Sequence, residues 1–167
     1  MGECMFKEND TVVYKNAGLC RVETIGVPEF ITTDEIYYKL QTLTGAGNII
    51  YVKEGHEDMI RPIISKEETE DYLDKMKDLE GLYDDNNKAR EREFSGILGS
   101  GNLMDVLRMY KGLFQARIKR QQAGKHLNAS DEQDFVKADR MLCGEFSVAL
   151  GTSTDNIRDI LTRACAS

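Results

Sequence analysis

The order of apolar patterns along the 167 residues predicts an α+β chain, with a small β module followed by an all-α bundle of about five helices. Two observations carry this. Up to about residue 64 the apolar residues fall in short β-like runs separated by turn-forming segments, and from Ser65 onward they recur every three or four residues behind helix-capping sequences. A hydrophobic content of 41% suffices for packed cores, and the change of period at Ser65 divides the chain into expected domains 1–64 and 65–167.

The first element is a hairpin. Thr11-Val12-Val13-Tyr14 and a second run over 19–25 flank Lys15-Asn16-Ala17-Gly18, where the glycine supplies the backbone freedom of a tight reversal. Further strands are expected over 35–42, 48–52 and 59–63, with loops over 27–33 and at Thr44-Gly45-Ala46-Gly47. Alternation within Ile36-Tyr37-Tyr38-Lys39-Leu40-Gln41-Thr42 puts Tyr38, Leu40 and Thr42 on one face, which makes Tyr38 and Leu40 core candidates. Five short strands suggest a small, strongly curved sheet or barrel.

Ser65-Lys66-Glu67-Glu68 reads as a capping box, and Tyr72, Leu73, Met76, Leu79 and Tyr83 continue at helical spacing, so a helix is expected over 66–82. A second helix should occupy 88–98 and stop at Gly99-Ser100-Gly101. A third, from Asn102 to Gly124, carries Leu103, Val106, Leu107, Tyr110, Leu113 and Phe114 inward. Ser130-Asp131-Glu132-Gln133 should open a fourth helix built on Phe135, Ala138, Met141, Leu142, Phe146 and Ala149. Thr152-Ser153-Thr154-Asp155 should cap a fifth, with Ile157, Ile160, Leu161 and Ala164 buried.

Catalytic machinery is hard to find. The chain has no G-x-S-x-G, no P-loop and no G-x-G-x-x-G before a helix, so an enzyme is the weakest reading and no catalytic residue or cofactor is assigned. Cys4, Cys20, Cys143 and Cys165 are scattered and read as reduced thiols, and His56 and His126 read as surface residues, so no metal site is expected. Neither a membrane-length apolar run nor a signal-peptide pattern is present, and Phe6 breaks the myristoylation pattern after Met1-Gly2, which points to a cytoplasmic protein.

The net charge of −7 is unevenly spread. Residues 86–125 hold Lys88, Arg90, Arg92, Arg108, Lys111, Arg117, Lys119, Arg120 and Lys125 against Glu91, Glu93 and Asp105, a local +6 that leaves −13 elsewhere. Such an island suits localised contact with a polyanion. The acidic run from Glu67 to Asp85 would repel DNA and so confines contact to one side of the helical domain.

Asn9-Asp10-Thr11-Val12-Val13-Tyr14-Lys15-Asn16-Ala17-Gly18, Tyr37-Tyr38-Lys39-Leu40 and Met59-Ile60-Arg61-Pro62-Ile63-Ile64 together resemble the CarD/CdnL family of bacterial transcription regulators. Ser100-Gly101-Asn102, Lys111-Gly112-Leu113-Phe114 and Met141-Leu142-Cys143-Gly144-Glu145-Phe146 extend the resemblance into the second half. It implies a Tudor-like β-barrel that docks on the RNA polymerase β subunit, and a helical domain that touches promoter DNA without sequence specificity at the upstream edge of the bubble. Open-complex stability is what such proteins alter. On that basis Ile49, Ile50, Tyr51, Val52 and Lys53 are the expected polymerase-binding strand, and Asn87, Lys88, Arg90, Arg92 and Lys111 the expected DNA-binding residues. The chain departs from the family in having no Trp, the usual groove-wedging position falling at Asn87, and in a longer 114–127 connection. The alternative reading is a protein-protein adaptor of the same fold without DNA binding.

Overall fold

The computed structural model describes residues 5–15, 17–43 and 46–166. Cys4, Asn16, Thr44 and Gly45, and the Met1-Gly2 start, lie outside the described residues. The chain divides into two compact units, residues 1–63 and 64–167.

The first unit is one antiparallel sheet of β1 (Thr11–Tyr14), β2 (Gly18–Gly26), β3 (Tyr37–Thr42), β4 (Ile49–Lys53) and β5 (Ile60–Pro62). Gly18, at φ +75°, closes the β1–β2 turn in a conformation that strains a residue bearing Cβ. Alternation decides the core: Val12, Cys20, Val22, Tyr38, Leu40, Val52 and Ile60 are buried together with Phe6, whose ring meets Tyr38 edge-on at 6.0 Å. A bulge at Glu23 shifts the β2–β3 register, so that Val22 faces Leu40 and Thr24 faces Lys39. The strand order is β4-β3-β2-β1-β5, so of the two forms the strand pattern allowed the chain takes the open sheet rather than the barrel that the resemblance implies. Both of its ends are edges.

The second unit packs α1 (Lys66–Met76), α2 (Asn87–Ser100), α3 (Leu103–Gln122), α4 (Ala129–Leu150) and α5 (Thr154–Ala166) around one core. α3 is central, burying Leu103, Val106, Leu107, Met109, Tyr110 and Leu113 on its inner side. The Ser65 hydroxyl accepts from Glu68 N–H at 3.0 Å, as the capping box requires. Three boundaries differ from the sequence expectation. α1 stops at Met76, and Leu79, Leu82 and Tyr83 reach the same core from a non-helical strap. α2 runs on to Ser100, two residues past its expected end, and Gly101 caps it. α4 starts two residues early, because Asn128 rather than Ser130 accepts from the free N–H of Asp131 at 2.8 Å.

The strap lies tightly on α3. Leu82 N–H donates to Arg108 C=O at 2.9 Å, and Gly81 and Gly112 face each other where neither backbone leaves room for a side chain. Burial pushes the Cys143 and Cys165 thiols up to about 12, and the Cys20 thiol up to about 11. Such thiols stay protonated and poorly nucleophilic at neutral pH. Among the described residues no helix is long and apolar enough to cross a membrane.

Candidate functional site

The two sheet edges are unlike. β5 has three residues and ends on Pro62, which pairs with Val12. Lys15 N–H bonds to Met59 C=O, so the ladder's alternation makes Val13–Arg61 the bonded pair, and Pro62, the next residue, sits at a non-bonded pair where its nitrogen faces away from β1 and has no hydrogen to donate. That edge is blunted.

β4 is the longer edge and is not blunted. Thr42 N–H bonds to Asn48 C=O and Glu54 N–H to Ile36 C=O, which fixes the phase of the β3–β4 ladder. By alternation Ile50 and Val52 spend their backbone groups on Leu40 and Tyr38, whereas the backbones of Ile49 and Tyr51 face away from β3. Lys53 does so through its N–H only, because its C=O accepts from His56 N–H at 3.0 Å. The side chains divide in the same phase: Ile49, Tyr51 and Lys53 are exposed, Ile50 is half-buried and Val52 is buried. Of the five residues expected to meet a partner, Ile50 and Val52 therefore turn their side chains toward the core. Lys53 donates to Glu35 at 3.0 Å, a bond that holds the Glu35 carboxyl below its usual range.

The basic island resolves into groups of different fate. Arg90 is 1% exposed and Lys111 4%, so neither is a surface cation. Arg90 binds both Asp131 carboxylate oxygens at 2.9 Å and donates to Asp84 C=O at 2.7 Å and Asn87 Oδ1 at 2.8 Å. Its guanidinium also lies 4.3 Å from the centre of the Tyr83 ring, whose hydroxyl completes the network on Asp131 at 2.8 Å. Lys111 donates to Met76 C=O at 3.0 Å and Lys77 C=O at 2.8 Å, capping the carbonyl end of α1. The expectation that Arg90 and Lys111 meet DNA is corrected on this ground: a phosphate contact from either would strip a buried network of its donors.

Arg117 is likewise engaged, paired with Glu132 at 2.7 Å and stacked over Phe135. Lys88, Arg92, Lys119 and Lys125 are exposed and make no ion pair among the described residues. Asn87 is exposed at the first position of α2, its side-chain oxygen held by Arg90, while the cap itself is Asn86, which accepts from Ala89 N–H at 2.9 Å. His56 and His126 are exposed, and among the described residues no group of three or more His, Cys, Asp or Glu side chains could hold a metal.

One family model matches the chain from Phe6 through Ile64, the stretch that holds the hairpin, the Tyr38–Leu40 core and the β4 edge. Residues 6–64 form a CarD-like/TRCF RID domain. The match is consistent with the CarD/CdnL family and takes in all five strands of this CarD-like domain. No curated protein matches the chain significantly. The distinction between the β4 and β5 edges could have been read from Pro62, which the sequence displays, but the engagement of Arg90 and Lys111 could not.

Proposed function

We propose that this protein is a transcription regulator that binds the RNA polymerase β subunit through the free edge of β4. The observation that carries the reading is an unblunted five-residue edge within a CarD-like domain, with backbone groups of Ile49 and Tyr51 turned outward. An added strand satisfies such groups with main-chain hydrogen bonds and takes specificity from alternate side chains, here Ile49, Tyr51 and Lys53. No catalytic role is assigned.

The test separates neighbouring positions. Tyr51→Pro removes a donor that points away from β3, so the fold should persist while capture of RNA polymerase by the full chain falls at least tenfold. Ile50→Pro removes a donor from the β3–β4 ladder and should lower the melting temperature as well. Undiminished capture by a folded Tyr51→Pro protein would overturn the edge assignment.

For the helical unit we propose weak, sequence-tolerant contact of Lys88 and Arg92, with Asn87 beside them, to promoter phosphates near the upstream edge of the bubble, tuning open-complex lifetime. Exposure of both cations on α2 supports this reading. Reversing Lys88 and Arg92 to Glu should weaken binding to a bubble-containing duplex and flatten its salt dependence, with melting temperature and polymerase capture unchanged. The burial of Arg90 and Lys111 favours a second reading, an adaptor of the same fold without DNA contact. Salt-independent or absent DNA binding by the wild-type chain would select it.

A further inference from the structure

Beside the β4 edge, the outer face of the sheet holds a cleft of about 410 Å³. Strand register builds its floor. Tyr51, Lys39 and Thr24 are direct cross-strand partners and form one row; in the next, Tyr37 pairs with Gly26, both lining the cleft, and with Lys53, which does not line it. The wall is the segment after β2, where Val27 and Phe30 are 49% and 65% exposed. Phe30 meets Tyr51 edge-on, the ring centroids 4.9 Å apart.

The charges in and around the cleft do not cancel. Lys39 is matched by Glu23 at 3.3 Å and Lys53 by Glu35 at 3.0 Å, so both cations of the floor rows are neutralised. Glu29 lines the cleft without a cationic partner among the described residues. Three aromatic rings, of Phe30, Tyr37 and Tyr51, therefore stand beside one uncompensated carboxylate.

We propose that this cleft receives an arginine side chain carried by the strand that pairs with β4, an inference that rests on the edge docking proposed above. A strand added to β4 lies about 4.8 Å beyond it, and its residue opposite Tyr51 projects on the same outer face, extending the Tyr51-Lys39-Thr24 row. A guanidinium stacks on aromatic faces through its plane, answers Glu29 with its charge, and covers Val27 and Phe30 with its methylene stem. An aliphatic side chain would cover the same apolar surface but would take water from Glu29 without replacing it.

Two measurements on the full chain decide the matter. In the first, N-acetyl-arginine amide and N-acetyl-leucine amide are titrated at millimolar concentration and followed by backbone amide shifts. Arginine should move Glu29, Phe30 and Tyr51 more than leucine does. An equal or larger response to leucine, or no response at these residues, overturns the inference. In the second, Phe30→Leu and Glu29→Lys should each reduce polymerase capture about tenfold, and Phe30→Trp should retain it. Full capture by both Phe30→Leu and Glu29→Lys overturns the inference while leaving edge docking intact. Should the wild-type chain capture no polymerase, edge docking to polymerase fails. The titration then still decides whether the cleft accepts arginine.

Discussion

Arg90→Ala should destabilise the helical unit by roughly 3–5 kcal/mol, the range for breaking a buried ion pair from one side. Asp131 would keep its burial, at 1% exposure, while losing both guanidinium bonds, and Asp84 C=O and Asn87 Oδ1 would each lose a donor. Tyr83 would lose the cation over its ring. Asp131→Ala should cost a similar amount by stranding the guanidinium, and the double variant should cost clearly less than the two added together. Denaturant midpoints of the three variants provide the check. Additive losses would show that Arg90 and Asp131 act independently. Unchanged stability with weakened DNA binding would return Arg90 to the surface role that its place in a basic run suggests.

Gly112→Ala should be the most damaging change of a single methyl group. A Cβ at Gly112 would run into the carbonyl of Leu82, a backbone atom that cannot swing aside as a side chain can. Relief requires the strap to move off α3, which breaks the 2.9 Å bond from Leu82 N–H to Arg108 C=O and strains the Lys111 cap on Met76 and Lys77. Overpacking alone costs about 1–3 kcal/mol, and loss of these bonds adds to it. Gly96→Ala is the matched control. Gly96 also lies within a helix, but a Cβ there meets nothing within 4 Å, so the substitution should stabilise α2 by about 0.5–1 kcal/mol. Melting temperatures that move in opposite directions support the close backbone approach, and a stabilised Gly112→Ala protein would refute it.

Both expectations concern groups that local sequence describes as ordinary. Arg90 stands in Lys88-Ala89-Arg90-Glu91-Arg92, and only the arrival of α4, with Asp131 in its first turn, separates it from Lys88 and Arg92. Lys111 is selected by the end of α1, 34 residues earlier in the chain, where Lys77 C=O needs a donor. Periodicity likewise assigned Leu79 and Tyr83 to a helix, since a helix and a strap held against α3 can present the same residues to one core.

What the amino-acid sequence determined by itself was whatever depends on neighbours a few residues away. Alternation in Tyr38-Lys39-Leu40 selects the buried face of β3, Gly18 permits the first reversal, and Ser65 starts α1, because each is a local matter of backbone geometry or of a nearby unsatisfied N–H. The order of these local signals was also enough to indicate the α+β architecture and the CarD-like domain. Tertiary structure alone decided which phase of β4 turns its backbone outward and which cations remain at the surface. Those outcomes depend on pairing partners tens of residues apart, and charge in a sequence carries no record of the carboxylate or carbonyl that will bury it.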